Sequence, residues 1–137
     1  MGNYKNQFRA FLNKHEFLPL SRWKCFELEH GKKAIFEGNL AKIRKEVNKK
    51  SGIYIYEKGK KILYVGKAVS LHDRLKSHNR ESFESVPGDR KDSGFHKFFS
   101  ARKNCGKLKA YWIEVKIEEE RVVLEAMLQY LLEPDFK

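Results

Sequence analysis

A chain of 137 residues, 41% hydrophobic and 34% charged, can bury one core without staples and is too polar throughout for a membrane protein. Its 29 Lys+Arg against 18 Asp+Glu leave +11, spread unevenly: 12 basic and 5 acidic groups in residues 1–50, 13 and 6 in 51–107, but 4 and 7 in 108–137. Such a field points to a polyanion as partner, nucleic acid before an acidic membrane surface. Cys25 and Cys105 are too few and too far apart for a disulfide framework or a zinc knuckle. The first residues carry no apolar signal segment. The expectation is a cytoplasmic, reduced protein with no membrane partner.

Residues 1–50 read as helices and turns. Phe8, Phe11 and Leu12 recur at helical spacing. Asn39 looks like the N-cap of a helix burying Leu40, Ile43 and Val47, with Lys42, Arg44, Lys45, Lys49 and Lys50 on its polar side. From Ser51 the period becomes two. Ile53 to Tyr56 and Ile62 to Val65 predict a hairpin joined by the five residues 57–61. That loop sets Tyr56 opposite Ile62 and Tyr54 opposite Tyr64, with two tyrosines on one face and aliphatic residues on the other. Ser70 and Asp73 then open a helix from Leu71 to about Asn79 as N-cap and N3 pair. Residues 80–93 read as a polar loop, Phe95, Phe98 and Phe99 as a short helix, Leu108 to Ile117 as a third strand, and Glu118 to Leu132 as the strongest helix.

Three features bear on chemistry. Two tyrosines share a hairpin face with Lys67 just beyond, an arrangement that is ordinary packing in most sheets. Arg74 and His78 are four apart and share a helix face. Glu125 is the one polar residue in Val-Val-Leu-Glu-Ala-Met-Leu, residues 122–128, and a buried carboxylate demands compensation. Periodicity leaves three ways to supply it: a salt bridge to Arg121, a place on the helix's exposed edge, or a metal ion.

Gly52-Ile53-Tyr54, then Tyr64-Val65-Gly66-Lys67, then Arg74, His78 and Glu125 together resemble the GIY-YIG nuclease superfamily. The run from Tyr64 to Leu75 is particularly similar to the nuclease domain of excision-repair C subunits, whereas a histidine at 78 is more like the phage homing endonucleases. The resemblance covers residues 51 to about 134. The asparagine that the family usually carries after a proline like Pro134 has no counterpart here.

What the resemblance implies is an α+β domain at 51–137, a small three-stranded antiparallel sheet flanked by helices, preceded by a basic helical extension at 1–50 packed on it. It implies a metal-dependent endonuclease that hydrolyses DNA phosphodiesters to 5′-phosphate and 3′-hydroxyl ends with magnesium, or manganese in its place. Tyr54 or Tyr64 would act as general base, its pKa lowered by Lys67 and the metal, and Arg74 would stabilise the pentavalent phosphate. His78 would shuttle a proton or hold phosphate, and Glu125 would bind the metal. Lys67, Arg74, Lys76 and His78 form the expected nucleic-acid contacts, to duplex or branched DNA, with RNA open as a substrate. The alternative is a catalytically inactive nucleic-acid-binding module of the same fold, which would have no reason to keep Glu125.

Overall fold

The structure, a computed structural model, describes residues 4–31, 36–47, 49–82, 98 and 101–136. In chain order these form α1 (Tyr4–Lys14), β1 (Lys24–His30), α2 (Phe36–Glu46), β2 (Gly52–Lys58), β3 (Lys61–Ala68), α3 (Leu71–Glu81), β4 (Gly106–Glu114) and α4 (Glu118–Leu132). Leu20–Arg22 and Arg102–Asn104 add short 3-10 turns. The class is α+β with an antiparallel sheet, as expected, and the sheet has four strands in the order β1-β4-β2-β3. The fourth strand is β1, inside the segment read as helical. Its inward side chains alternate as Phe26, Leu28 and His30, but only two of these are strongly apolar, and the run is short. Pairing with β4, from Lys24↔Trp112 to His30↔Gly106, makes it a strand.

Side-chain alternation divides the core between the two sheet faces. On one, Tyr54, Tyr56, Ala110 and Trp112 pack with Phe26, Leu28, Ile43, Val47, Leu71 and Leu75, the last four supplied in part by α2 and α3. On the other, Ile53, Ile55 and Val65 pack with Leu12 of α1 and Leu124, Leu128 and Leu131 of α4. Three layers result, with the sheet in the middle.

The hairpin differs from expectation in register. Tyr56 pairs with Tyr64 and Tyr54 with Gly66, with an irregularity after Tyr56. Both strands run further than their apolar residues show, leaving the turn at Gly59-Lys60, where Gly59 takes φ 65°, a conformation that suits glycine. A slip of two residues keeps every side chain on its face, so the shared tyrosine face survives. Asn39 also differs: it lies inside α2, 4% exposed, and its side chain donates to the Glu29 carbonyl at 2.8 Å and to Asn79 Oδ1 at 2.9 Å. It ties α2 to β1 and α3 rather than capping a helix. The loop read at 80–93 begins as the end of α3, and its remainder from 83, like the helix at Phe95 and Phe99, lies outside the described residues. Among the described residues no helix is long and apolar enough to cross a membrane.

Candidate active site

The site forms where β2, β3, α3 and α4 meet. Ser70 caps α3 as expected, its hydroxyl accepting the Asp73 N–H at 3.3 Å, and the helix presents Arg74 and His78 one turn apart. His78 is 1% exposed and its Nε2 lies 2.7 Å from the Tyr54 hydroxyl. The Tyr54 ring stands 5.7 Å from Tyr64 and 5.6 Å from His78, and Tyr64 and His78 are 5.7 Å apart. Three of the six candidate catalytic residues thus form one aromatic cluster.

Gly66 makes that cluster possible. A β-carbon there would sit 2.6 Å from the Tyr54 hydroxyl, from its Cζ and from Tyr64 Cε2, well inside van der Waals contact. The glycine of the second tripeptide is the floor on which the tyrosine of the first lies. Gly52 answers to a similar constraint, because a β-carbon would strike the Ile113 carbonyl oxygen.

Two of the other candidates, Lys67 and Glu125, meet at the outer edge of β3. Gln129 of α4 donates from Nε2 to the Val65 carbonyl at 3.0 Å, and Glu125, one turn earlier, lies near the Lys67 backbone N–H, which favours its charged form. Phe136 donates its backbone N–H to Leu63 at 3.0 Å. Residues 63, 65 and 67 turn the same way along the edge, as alternate residues of a strand do, and the C-terminal segment bonds to the first two and sets Glu125 beside the third. The salt bridge to Arg121 does not form: Arg121 Nη1 donates to the Val115 and Lys116 carbonyls at 2.8 and 2.9 Å. Glu125 is half-buried, and desolvation raises its pKa despite the opposing charges of Lys67 and Arg74.

Arg74 links the two groups, since its charge is felt by both Tyr54 and Glu125. Lys67 and Arg74 are exposed. Lys76 is exposed on another side of α3, lining a groove of about 230 Å³ with Phe36, Asp73, Ser77 and Arg80, and does not join the tyrosines. Burial raises the Tyr54 pKa well above that of an ordinary phenol, reinforced by Tyr64 and Tyr56 and only partly opposed by Arg74. Tyr54 is therefore held in its protonated form. Tyr64, 8% exposed against 0% for Tyr54, reaches nearer to solvent.

Two further residues complete the surroundings. Tyr56 packs edge-on against Tyr54 and His78 at 5.7 and 5.9 Å, and His30 packs on Tyr56 at 5.3 Å. Tyr56 had a signal in the sequence, being two residues from Tyr54. Gln129 had one too, four residues from Glu125. His30 had none, because it arrives on a strand more than 20 residues away.

The donor set suits a hard divalent cation. A carboxylate whose charge stays under-compensated beside two cationic side chains can take one, and magnesium keeps most of its shell as water. Among the described residues no three His, Cys, Asp or Glu converge, so Glu125 would be the sole carboxylate, with waters filling the remaining positions.

No protein-family model matches the chain. Over 99 residues it is 29% identical to UvrABC system protein C of Aliarcobacter butzleri, an alignment covering 72% of this chain and 15% of that protein. Over 37 residues it is 49% identical to UvrABC system protein C of Fervidobacterium nodosum, covering 27% and 7%. The chain therefore spans a small fraction of the length of these relatives. A solved structure of the GIY-YIG N-terminal endonuclease domain of UvrC from Thermotoga maritima, bound to magnesium as its catalytic divalent cation, is 26% identical. It covers 70% of this chain and 96% of its own, with a TM-score of 0.49. A point mutant of that domain is 28% identical, covering 70% and 94%, with a TM-score of 0.49. The chain resembles the GIY-YIG nucleases.

Proposed function

We propose that this chain is a divalent-metal-dependent endonuclease that hydrolyses phosphodiester bonds in DNA to 5′-phosphate and 3′-hydroxyl ends. The observation that carries this is the placement of Glu125. An isolated carboxylate sits beside the charges of Lys67 and Arg74, at the edge of the strand that bears Tyr64. A surface that merely bound phosphate would gain nothing from a negative group there.

Each step follows from what a residue can reach. Arg74, exposed, grips two phosphate oxygens with its fork and stabilises the charge that gathers on phosphorus in the transition state. Tyr64, as its phenolate, takes the proton of the attacking water, because Tyr54 is held protonated by burial, and the leaving 3′ oxygen takes a proton from solvent to become the 3′-hydroxyl. Tyr54 and His78 form a hydrogen-bonded pair behind it, which orients the Tyr64 hydroxyl and offers a route for the proton. Lys67, whose charge reaches Glu125, adds a second cation to the phosphate-binding edge. Glu125 would hold magnesium, which when bound supplies Lewis acidity to the phosphate and the leaving oxygen.

The test is to incubate the purified chain with supercoiled, linear, branched and single-stranded DNA, with magnesium or EDTA. Magnesium-dependent nicking that EDTA abolishes is the expected result. Binding without any cutting would favour the inactive module, and undiminished cutting in EDTA would remove Glu125 from the mechanism.

A further inference from the structure

We propose that Lys24, Lys50 and Trp112 form a second phosphate subsite, which holds a backbone phosphate of the nucleic acid away from the scissile bond. The proposal rests on the nucleic-acid reading of the preceding section.

The strand register sets the position. Lys24 pairs with Trp112, and Trp112 pairs with Tyr54, so the three lie in one row and face the same side of the sheet. Lys24 is two strand spacings from Tyr54, roughly 10 Å. Lys50 enters from the other side, just ahead of β2, and its carbonyl accepts the Leu71 N–H at 2.7 Å. It is thereby fixed to the start of the helix that carries Arg74.

Both ammonium groups reach the same ring. Lys24 Nζ is 5.4 Å and Lys50 Nζ 5.6 Å from the Trp112 centroid. The indole is 2% exposed, consistent with cover from the lysine stems. Its Nε1 is buried with no hydrogen-bond acceptor among the described residues. Neither lysine makes an ion pair or hydrogen bond to a side chain there, Glu114 on the same strand included. Two cations thus stand within 6 Å of one indole ring whose N–H has no acceptor among the described residues. Cation–π attraction holds each ammonium in place, neither charge is neutralised by a side chain there, and an unmet buried donor is uncommon in native proteins. A phosphate group bound at this ring supplies the negative charge that both ammonium groups lack. A phosphodiester on the strand gripped by Arg74 is such a group, and free phosphate has the same chemistry.

The deciding measurement is fluorescence anisotropy of a labelled 20-mer duplex in EDTA, across a range of salt. The full chain, Lys24→Gln/Lys50→Gln, and a control with Lys60→Gln/Lys103→Gln at the other end of the sheet are compared. The subsite variant should bind about tenfold more weakly at 0.15 M salt, with a log–log slope shallower by one to two, at about 0.9 per phosphate lost. The control should lose less. The single variants, each expected to lose up to about one unit of slope, serve if the double variant fails to fold. Equal slopes for variant and full chain, or an equal loss in the control, would overturn the subsite. So would millimolar inorganic phosphate changing the tryptophan fluorescence while the duplex slope ignores both lysines, which marks a free-anion site. A chain that binds with the expected lysine dependence yet cuts nothing keeps the subsite and loses the nuclease. A chain that cuts while the variant binds unchanged does the reverse.

Discussion

Gln129 donates a 3.0 Å hydrogen bond to the backbone carbonyl of Val65, and through it α4 is locked in register against the free edge of β3. The next residue up that face of the helix is Glu125, and the next outward group along the strand is the Lys67 N–H. One side-chain bond therefore sets where the candidate metal carboxylate stands. Gln129→Leu should cost about 1 kcal/mol of stability. It should also weaken manganese binding, read by calorimetry, while Gln129→Glu, which cannot donate when ionised, should do the same. Metal affinity equal to the parent chain in both variants would make the bond purely structural.

Glu125→Gln keeps shape and removes charge. Cutting and metal binding should disappear while the fold persists, and DNA affinity should stay equal or rise slightly, because a carboxylate no longer faces phosphate. Calorimetry and anisotropy on the same preparation check both. Lower DNA affinity would contradict the placement of Glu125 beside the phosphate.

Arg74→Ala should reduce cutting by about 100-fold or more, on the order of 3 kcal/mol of transition-state stabilisation. Unlike the glutamine variant it should weaken DNA binding, since its exposed guanidinium also contacts the ground-state phosphate. Single-turnover rates beside anisotropy separate the two losses.

Gly66→Ala places a methyl group where Tyr54 and Tyr64 now touch the backbone. The expected cost is about 1–3 kcal/mol in urea unfolding, with a larger loss in cutting than in DNA binding, because the rings move and the lysines do not. An alanine variant as stable and active as the parent would show that the rings can shift freely.

His30 is fully buried, and burial, with His78 adding to it, lowers its pKa to about 3 from 6.5. Above pH 6.5 both folded and unfolded chains hold it neutral. As pH falls below 6.5 the unfolded chain takes a proton that the folded one refuses, so stability declines down to about pH 3. Urea midpoints at pH 7 and pH 4.5 should differ more for the parent than for His30→Phe. A variant with the same pH dependence would place the acid sensitivity elsewhere.

Much of this was legible without coordinates. Period-two alternation placed the tyrosines on one face, Ser70 and Asp73 marked the start of α3, and a single charge in an apolar run singled out Glu125, because these patterns depend on residues close together in the chain. What β1 does was not legible: Phe26, Leu28 and His30 alternate too briefly to outweigh their surroundings until β4 offers hydrogen bonds. The hairpin register followed the same logic, since Lys58 and Lys61 join strands through backbone pairing that no side chain advertises. Tertiary structure alone brought His30 behind Tyr56, gave Arg121 carbonyl partners instead of Glu125, and set Lys24 and Lys50, 26 residues apart in the sequence, over one indole. Long-range pairing decides such neighbours, and local periodicity carries no record of it.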